Sequence, residues 1–459
     1  MKISSQLLQK YNVPVPRYTS YPPANHFSSE FGESNYIQML DESNSGTPQH
    51  LAFYFHIPFC KKICFYCGCN AYTMGRPEQT EAYLRAIKKE FALVAKHIDP
   101  ARKVSQIHFG GGTPNSIEAS MLKELVDMVA GSFSFIDKPE IAIECNPAYL
   151  THTYVDALKQ AGFNRFSLGI QDFNDEVLST VNRDSSRIPA DELVAYIKKD
   201  RSDIGVNLDF IYGLPGQTVE SFLESVEKAA AILPDRLVTF SYAHVPWMKK
   251  HQMILEKRGL PSSEVKMEMF LSAYELLKQK GYQPVGLDHF VLPTDELFAS
   301  LESKELHRNF QGYCTRRTTG QVYAFGVTAI SQLEKGYAQN VKDIAEYIAT
   351  IENHHLPIEK GYTLTAGEMV TREAITELMC NKRVSWSDVA NKLGIPVEEV
   401  RAQIAVNENT LAGFAADELI AYTSDEITVT EPGAIFIRNI AASLDSAYQQ
   451  QANSYSKTV

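Results

Sequence analysis

From residue 51 the sequence alternates short runs rich in β-branched and aromatic residues with longer helix-length stretches, and this alternation leaves few folds open. The strand-like runs are LAFYFHIP (51–58), VSQIHFGGG (104–112), EIAIECNP (140–147), FNRFSLGIQ (163–171), VNLDFIYGLP (206–215) and RLVTFSYAHVP (236–246). Stretches such as TEAYLRAIKKEFALVAKHI and SFLESVEKAAAIL lie between them. Repeated βα units imply parallel strands joined by crossover helices, an α/β architecture. Six units fall short of the eight of a closed barrel, so the expectation is an open, partial (β/α)6 barrel.

Four segments follow from this reading. Residues 1–50 form an N-terminal arm and 51–290 the barrel. Residues 291–361 supply added strands and loops that close over the site. Residues 362–459 read as short helices and a small hairpin, a mainly helical, winged-helix-like domain. That last segment has no dense Lys/Arg face, so a packing or lid role fits it better than DNA binding. The distinctive residues sit at strand ends: the cysteine loop after the first strand, then GGGTP, ECNP, GIQDF and YGLP. In barrels and doubly wound sheets, C-terminal strand ends are where ligands bind.

The cysteine loop, CKKICFYCGC at 60–69, holds four of the seven cysteines. An odd count with the rest scattered at Cys145, Cys314 and Cys380 is no disulfide framework, and the start of the chain has no apolar signal region. No apolar run is long enough to span a membrane. The expected compartment is the cytoplasm, where clustered thiols hold metal or do redox work. A net charge of −11 disfavours nucleic acid or anionic membrane as the main partner.

Cys60, Cys64 and Cys67 are spaced to ligate three irons of a 4Fe–4S cluster and leave the fourth without a protein ligand, whereas purely electron-carrying clusters take four cysteines. Zinc is the competing reading, but no second paired motif completes a structural zinc site. An open iron suits S-adenosylmethionine, which it can hold through its amino and carboxylate groups. Gly110, Gly111 and Gly112 end the second strand, where absent side chains let backbone approach a ligand; a tight βα turn is the plain alternative. Glu144 ends the third strand and could accept from an ammonium group, or be merely solvated.

Together the C-x3-C-x2-C motif, the preceding YFHIPFC, Tyr66 and GGGTP resemble the radical S-adenosylmethionine (SAM) enzymes. RYTSYP (17–22), CGC ending at Cys69, GIQDF, VNR, NLDFIYGLP, YAHVP, GLDHF (286–290) and HRNFQGY (307–313) extend this to nearly the whole chain. In that order they are similar to the oxygen-independent coproporphyrinogen III oxidase family. The resemblance implies oxidative decarboxylation of two propionate side chains of coproporphyrinogen III to vinyl groups in haem biosynthesis. It implies a 5′-deoxyadenosyl radical made at a 4Fe–4S cluster, and no general base. This matches the absence of a Ser/His/Asp or paired-carboxylate pattern.

The same resemblance implies roles by position. Tyr54, Gly111, Glu144 and Ile330 would contact the SAM on the cluster. Tyr66, Gly112, Thr113, Gln171, Arg183, Asp209 and Ala243 would line a second SAM position. A structural ion pair is the competing reading for Arg183 and Asp209. Cys69 is expected to be a non-ligand thiol near the site, with a buried small residue as the alternative. Tyr18, Tyr21, His307 and Arg308 are the substrate-side candidates, because Arg suits a bidentate carboxylate contact. RYTSYP could otherwise be an arm packed on the barrel.

The implied partners are a tetrapyrrole substrate and an electron donor and acceptor that the sequence does not identify, with the chain acting as a monomer. Asn146 departs from the Asp of some members, and segment 184–204 is short and diverged, which bears on the outer SAM position. Two rivals share the scaffold. A haem chaperone would lack CGC, RYTSYP and HRNFQGY, and a different radical SAM enzyme acting on a tetrapyrrole would lack the full motif set.

Overall fold

The first strand shows why these runs are buried on both faces. In the computed structural model Leu51–Ile57 (β1) is an almost unbroken apolar run, and six of its seven residues are buried, as expected for a parallel strand covered on both sides. The structure describes residues 3–448, except 202 and 405. β1 is followed by Val104–Gly111 (β2), Phe135–Cys145 (β3), Arg165–Gln171 (β4), Gly205–Tyr212 (β5) and Arg236–Ser241 (β6). These six strands pair in sequence order, all parallel. Crossover helices include Pro77–Ala95 (α1) and Val219–Ile232 (α2). Pro77 begins α1, and Thr218 caps α2 by accepting from the Ser221 N–H at 3.2 Å.

The sheet continues beyond the barrel on both sides. Gln283–Val285 (β7) and His289–Val291 (β8) extend the β6 edge antiparallel. Gln321–Phe325 (β9), Ile330–Leu333 (β10), Gly336–Asn340 (β11) and Ile358–Thr363 (β12) extend the β1 edge. The twelve strands run β12-β11-β10-β9-β1-β2-β3-β4-β5-β6-β8-β7. Within 291–361, expected to supply added strands and loops, strands β9 to β12 extend the sheet. β9 pairs parallel with β1, because all five of its residues are buried and such a strand must be flanked on both edges and faces. The part of 291–361 that faces the cavity is the hairpin Leu306–Asn309 and Gly312–Thr315.

Period-two alternation then sorts the barrel side chains. Phe166, Leu168 and Ile170 of β4 and Val206, Leu208 and Phe210 of β5 are buried in the core with the helices. Arg165, Ser167, Gly169, Asn207, Asp209 and Ile211, the intervening residues, face the barrel interior.

The C-terminal domain begins with helix Ala366–Asn381 (α3) and includes, among the described residues, four short α-helices and a three-stranded sheet of 383–385, 426–429 and 420–422. Its hydrophobic core includes Tyr11, Val15, Tyr18 and Tyr21. The N-terminal arm therefore does not act as one piece. Residues 5–21 pack into the C-terminal domain, whereas helix Glu33–Glu42 and the residue after it lie on the sheet, where Tyr36 Oη meets Ser331 Oγ at 2.8 Å and Ser43 Oγ meets Tyr323 Oη at 2.7 Å.

Candidate active site

The cysteine loop leaves β1 and returns through a short parallel pairing of 59–60 with 72–73. Its backbone is clamped from outside. Phe65 N–H donates to Val181 O at 2.9 Å and Asn182 Nδ2 to Ile63 O at 2.7 Å. Gln252 Nε2 donates to Tyr66 O at 2.8 Å, His251 Nε2 lies 2.8 Å from Cys67 O, and Lys249 Nζ donates to Cys69 O at 2.7 Å. Cys60, Cys64, Cys67 and Cys69 all line one cavity of about 600 Å³ that runs down the barrel axis.

The three glycines at the end of β2 are each required by a different neighbour. A Cβ on Gly110 would sit 2.7 Å from Glu144 Oε1 and 3.0 Å from the Tyr54 ring. On Gly111, whose φ is +115°, it would meet the His56 ring at 2.8 Å. On Gly112 it would lie 2.6 Å from Pro58 O and 3.1 Å from Cys60 Sγ. Only glycine lets this strand end approach the cysteine loop.

Around the loop, Cys60 Sγ lies 3.3 Å from Thr113 Oγ1, and Cys64 Sγ lies 3.8 Å from Arg183 Nη1. Cys67 Sγ accepts from Cys69 N–H at 3.4 Å. Arg183 also donates to Gly169 O, and its Nε is buried without a partner. Burial raises the Cys60 thiol to about 11. Among the described residues no three metal-ligating groups converge on one point. The residues nevertheless fit a 4Fe–4S cluster with one open iron. Three thiols lie on one loop facing one cavity, the glycine cradle abuts Cys60, and a guanidinium with an unsatisfied donor stands beside Cys64.

Deeper in the barrel, Glu144 Oε1 lies 3.0 Å from His108 Nε2. Ser167 Oγ donates to Asp209 at 2.6 Å. Burial raises Asp209 to about 6, against the lowering effect of that hydrogen bond. At the barrel floor Glu140 accepts from Gln106 Nε2 at 2.7 Å and from Arg165 Nε at 3.2 Å, and Arg236 Nε donates to Asp295 at 2.9 Å. Burial opposes ionisation of Glu140, but the Arg165 and Arg236 charges outweigh it and hold the carboxyl at about 2.

The structure gathers most of the sequence candidates into this cavity: Cys60, Cys64, Tyr66, Cys67, Cys69, Gly111, Gly112, Thr113, Glu144, Gln171, Arg183, Asp209, Ala243 and Arg308. Tyr54 stands one layer behind the wall, its Oη 3.1 Å from His56 Nδ1 and its ring stacked on His108. Ile330 lies outside the cavity and packs with the group of Phe27, Tyr337 and Leu364, because β10 belongs to the sheet extension.

Tyr18, Tyr21 and His307 also lie elsewhere, on a second cavity of about 520 Å³ between the arm, the hairpin and the C-terminal domain. The tyrosine rings are drawn there by the apolar core of that domain. His307 lines this second cavity and not the main one. Burial, then the nearby Arg316, holds its imidazole neutral with a pKa of about 3.

Sequence reasoning missed Arg17, His108, Arg165, Arg236 and His289, all of which line the main cavity. Alternation along β2, β4 and β6 could have found His108, Arg165 and Arg236. Arg17 opens the RYTSYP motif, but only the fold shows that its side chain faces this cavity.

The model of the Radical SAM superfamily matches residues 54–229. An oxygen-independent coproporphyrinogen III oxidase of Synechocystis is 38% identical, covering 98% of this chain and 97% of its own. The enzyme of that name from Escherichia coli K12 is 36% identical over 97% of this chain and 96% of its own. The solved structure of Escherichia coli coproporphyrinogen III oxidase, described as a radical SAM enzyme, superposes with a TM-score of 0.86 at 34% identity, covering 97% of this chain and 99% of that one. With its three-cysteine loop, glycine cradle and full-length similarity, the chain belongs to the oxygen-independent coproporphyrinogen III oxidase family of radical SAM enzymes.

Proposed function

We propose that this protein converts two propionate side chains of coproporphyrinogen III to vinyl groups, with loss of carbon dioxide, giving protoporphyrinogen IX without oxygen. The observation that carries this reading is one continuous cavity, with the cysteine loop at one part of its wall and the Arg308 guanidinium at another. Cys60, Cys64 and Cys67 would hold the 4Fe–4S cluster. When bound, the cluster and S-adenosylmethionine supply a reducing electron and a 5′-deoxyadenosyl radical.

The chain's own residues bind, orient and shield. The backbone at Gly111 and the Glu144 carboxylate would receive the amino-acid end of the cosubstrate, with Tyr54 supporting them from behind. Tyr66, Gly112, Thr113, Gln171, Arg183, Asp209 and Ala243 would form the second SAM position. Arg183 supplies positive charge beside the thiolates and a free Nε donor toward the cavity. Cys69 is held at the loop end, near but outside the three ligands. Arg308, with Nε and Nη1 buried and unpartnered, would take a propionate.

Among the described residues no helix is long and apolar enough to cross a membrane. The compartment we assign is the cytoplasm, in keeping with seven free thiols, and the working unit is the monomer. The test is an anaerobic assay of reconstituted protein with coproporphyrinogen III, S-adenosylmethionine and a strong reductant, following protoporphyrinogen and 5′-deoxyadenosine together. Both should form, and both should vanish in Cys64→Ala. Formation of 5′-deoxyadenosine without a decarboxylated product would overturn the substrate assignment.

A further inference from the structure

A smaller chamber of about 120 Å³ opens off the main cavity between the barrel and the C-terminal domain. The two share Arg17, Phe240, Ser241, Asp288, His289 and Arg308. Arg308 lies 5.0 Å over the Tyr313 ring, and its Nε and Nη1 are buried without hydrogen-bond partners. Among the described residues Arg17 has no hydrogen-bond or ion-pair partner. Arg438 and Lys382 stand on the same wall.

Among the described residues the carboxylates that line the chamber are Asp288 and Glu431, and both are already engaged. Glu431 is engaged by Lys278 at 2.6 Å, and Asp288 is shared with His289 at 2.7 Å. Burial, then the Arg17 and Arg308 charges beside it, pulls the Arg438 guanidinium down to about 9. In a chain of net charge −11, such a cluster facing a cavity calls for an anion.

Arg17 is held in this place by the C-terminal domain. Tyr18 takes a φ of +48°, so the chain turns sharply between the two side chains. Arg17 faces the chamber while Tyr18 is buried in the domain core, its Oη donating to Asp445 at 3.0 Å. Arg438 clamps the preceding residues, with Nε donating to Pro16 O at 3.0 Å and Nη2 to Val15 O.

We propose that this chamber is a propionate subsite for the tetrapyrrole, in which Arg17 and Arg308 receive carboxylates of the macrocycle while Tyr18, Asp445 and Arg438 position Arg17. The inference rests on the oxidase reading above. It gives the winged-helix-like domain a task, as the back wall that presents the arm to the substrate.

The experiment measures binding of coproporphyrin III and of its tetramethyl ester, by fluorescence, to the reconstituted full-length protein at several salt concentrations. Arg17→Ala should bind the free acid ~10- to 100-fold more weakly and the ester unchanged, with a shallower salt dependence. Arg17→Lys should keep the salt dependence and part of the affinity. Tyr18→Phe should give a smaller loss in the same direction. If Arg17→Ala and Arg308→Met bind the free acid as the wild type does, while the wild type still makes protoporphyrinogen, the subsite falls and the oxidase reading stands. If the wild type neither binds coproporphyrin III nor makes protoporphyrinogen, both fall.

Discussion

The cavity has two walls that were built in different ways. One is the barrel wall, where the cysteine loop, GGGTP, Glu144, Gln171 and Asp209 each end or follow a parallel strand. The other combines residues 14–18, the 306–315 hairpin and Arg438, pieces more than a hundred and up to about four hundred residues apart in the chain. The first wall is local, because a strand's own pleat decides which side chains face inward. The second exists only through tertiary contacts. In the proposed reading, the cluster-side groups sit in contiguous motifs while the substrate-side groups are assembled across the molecule.

Breaking the barrel wall should have the larger effects. Cys64→Ala removes one of three ligands and should abolish both cluster incorporation, read as iron content and visible absorbance, and decarboxylation. Gly112→Val places carbon against Pro58 O and Cys60 Sγ, at an overpacking cost of about 1–3 kcal/mol. It should lower cluster occupancy while leaving the helical circular-dichroism signal intact. On the opposite wall, Arg308→Met should leave cluster absorbance unchanged and raise KM for the porphyrinogen, by ~10- to 100-fold. An unchanged KM there would erase the division between the walls.

Smaller effects sharpen the contrast. Asp445→Asn weakens one buried hydrogen bond from Tyr18 and should cost about 1 kcal/mol in urea unfolding, with no change in cluster content. Asp209 tests the barrel wall by pH. Its folded pKa is raised from 3.8 to about 6, so the folded state holds a proton that the unfolded chain releases. The stability from this group is fully present below pH ~3.8 and is lost as pH rises through about 6. The slope from one such proton is at most about 1.4 kcal/mol per pH unit, and less here because the carboxyl borders an open cavity. Asp209→Asn should flatten that part of the unfolding curve. An unaltered slope would show that Asp209 ionises as it does in the unfolded chain.

Much of the barrel was legible because its signals are short-ranged. The six strand runs match the observed strands to within a few residues, apart from an earlier start to β3 and an earlier end to β6, and the cysteine loop falls at the end of β1 as its position implies. Legibility ended where one residue type serves two ends. VYAF at 322–325 reads as a strand, but its pairing beside β1 is a long-range choice. Tyr18 and Tyr21 stand in a motif beside Arg17, and only the domain core shows that the tyrosines are swallowed and the arginine is presented. Of the neighbours His307 and Arg308, both border the arm-side cavity, but only Arg308 also reaches the main one.

The sequence by itself determined the parallel barrel, the three thiols on one loop and the glycines that let β2 approach them. Periodicity, spacing and the missing Cβ are properties of a few adjacent residues. The tertiary structure alone decided that residues 5–21 enter the C-terminal core, that β9 extends the sheet, and that Arg17, Arg308 and Arg438 share one wall. Those outcomes depend on which apolar surfaces find each other across hundreds of residues, and burial is non-directional and carries no address in the local sequence.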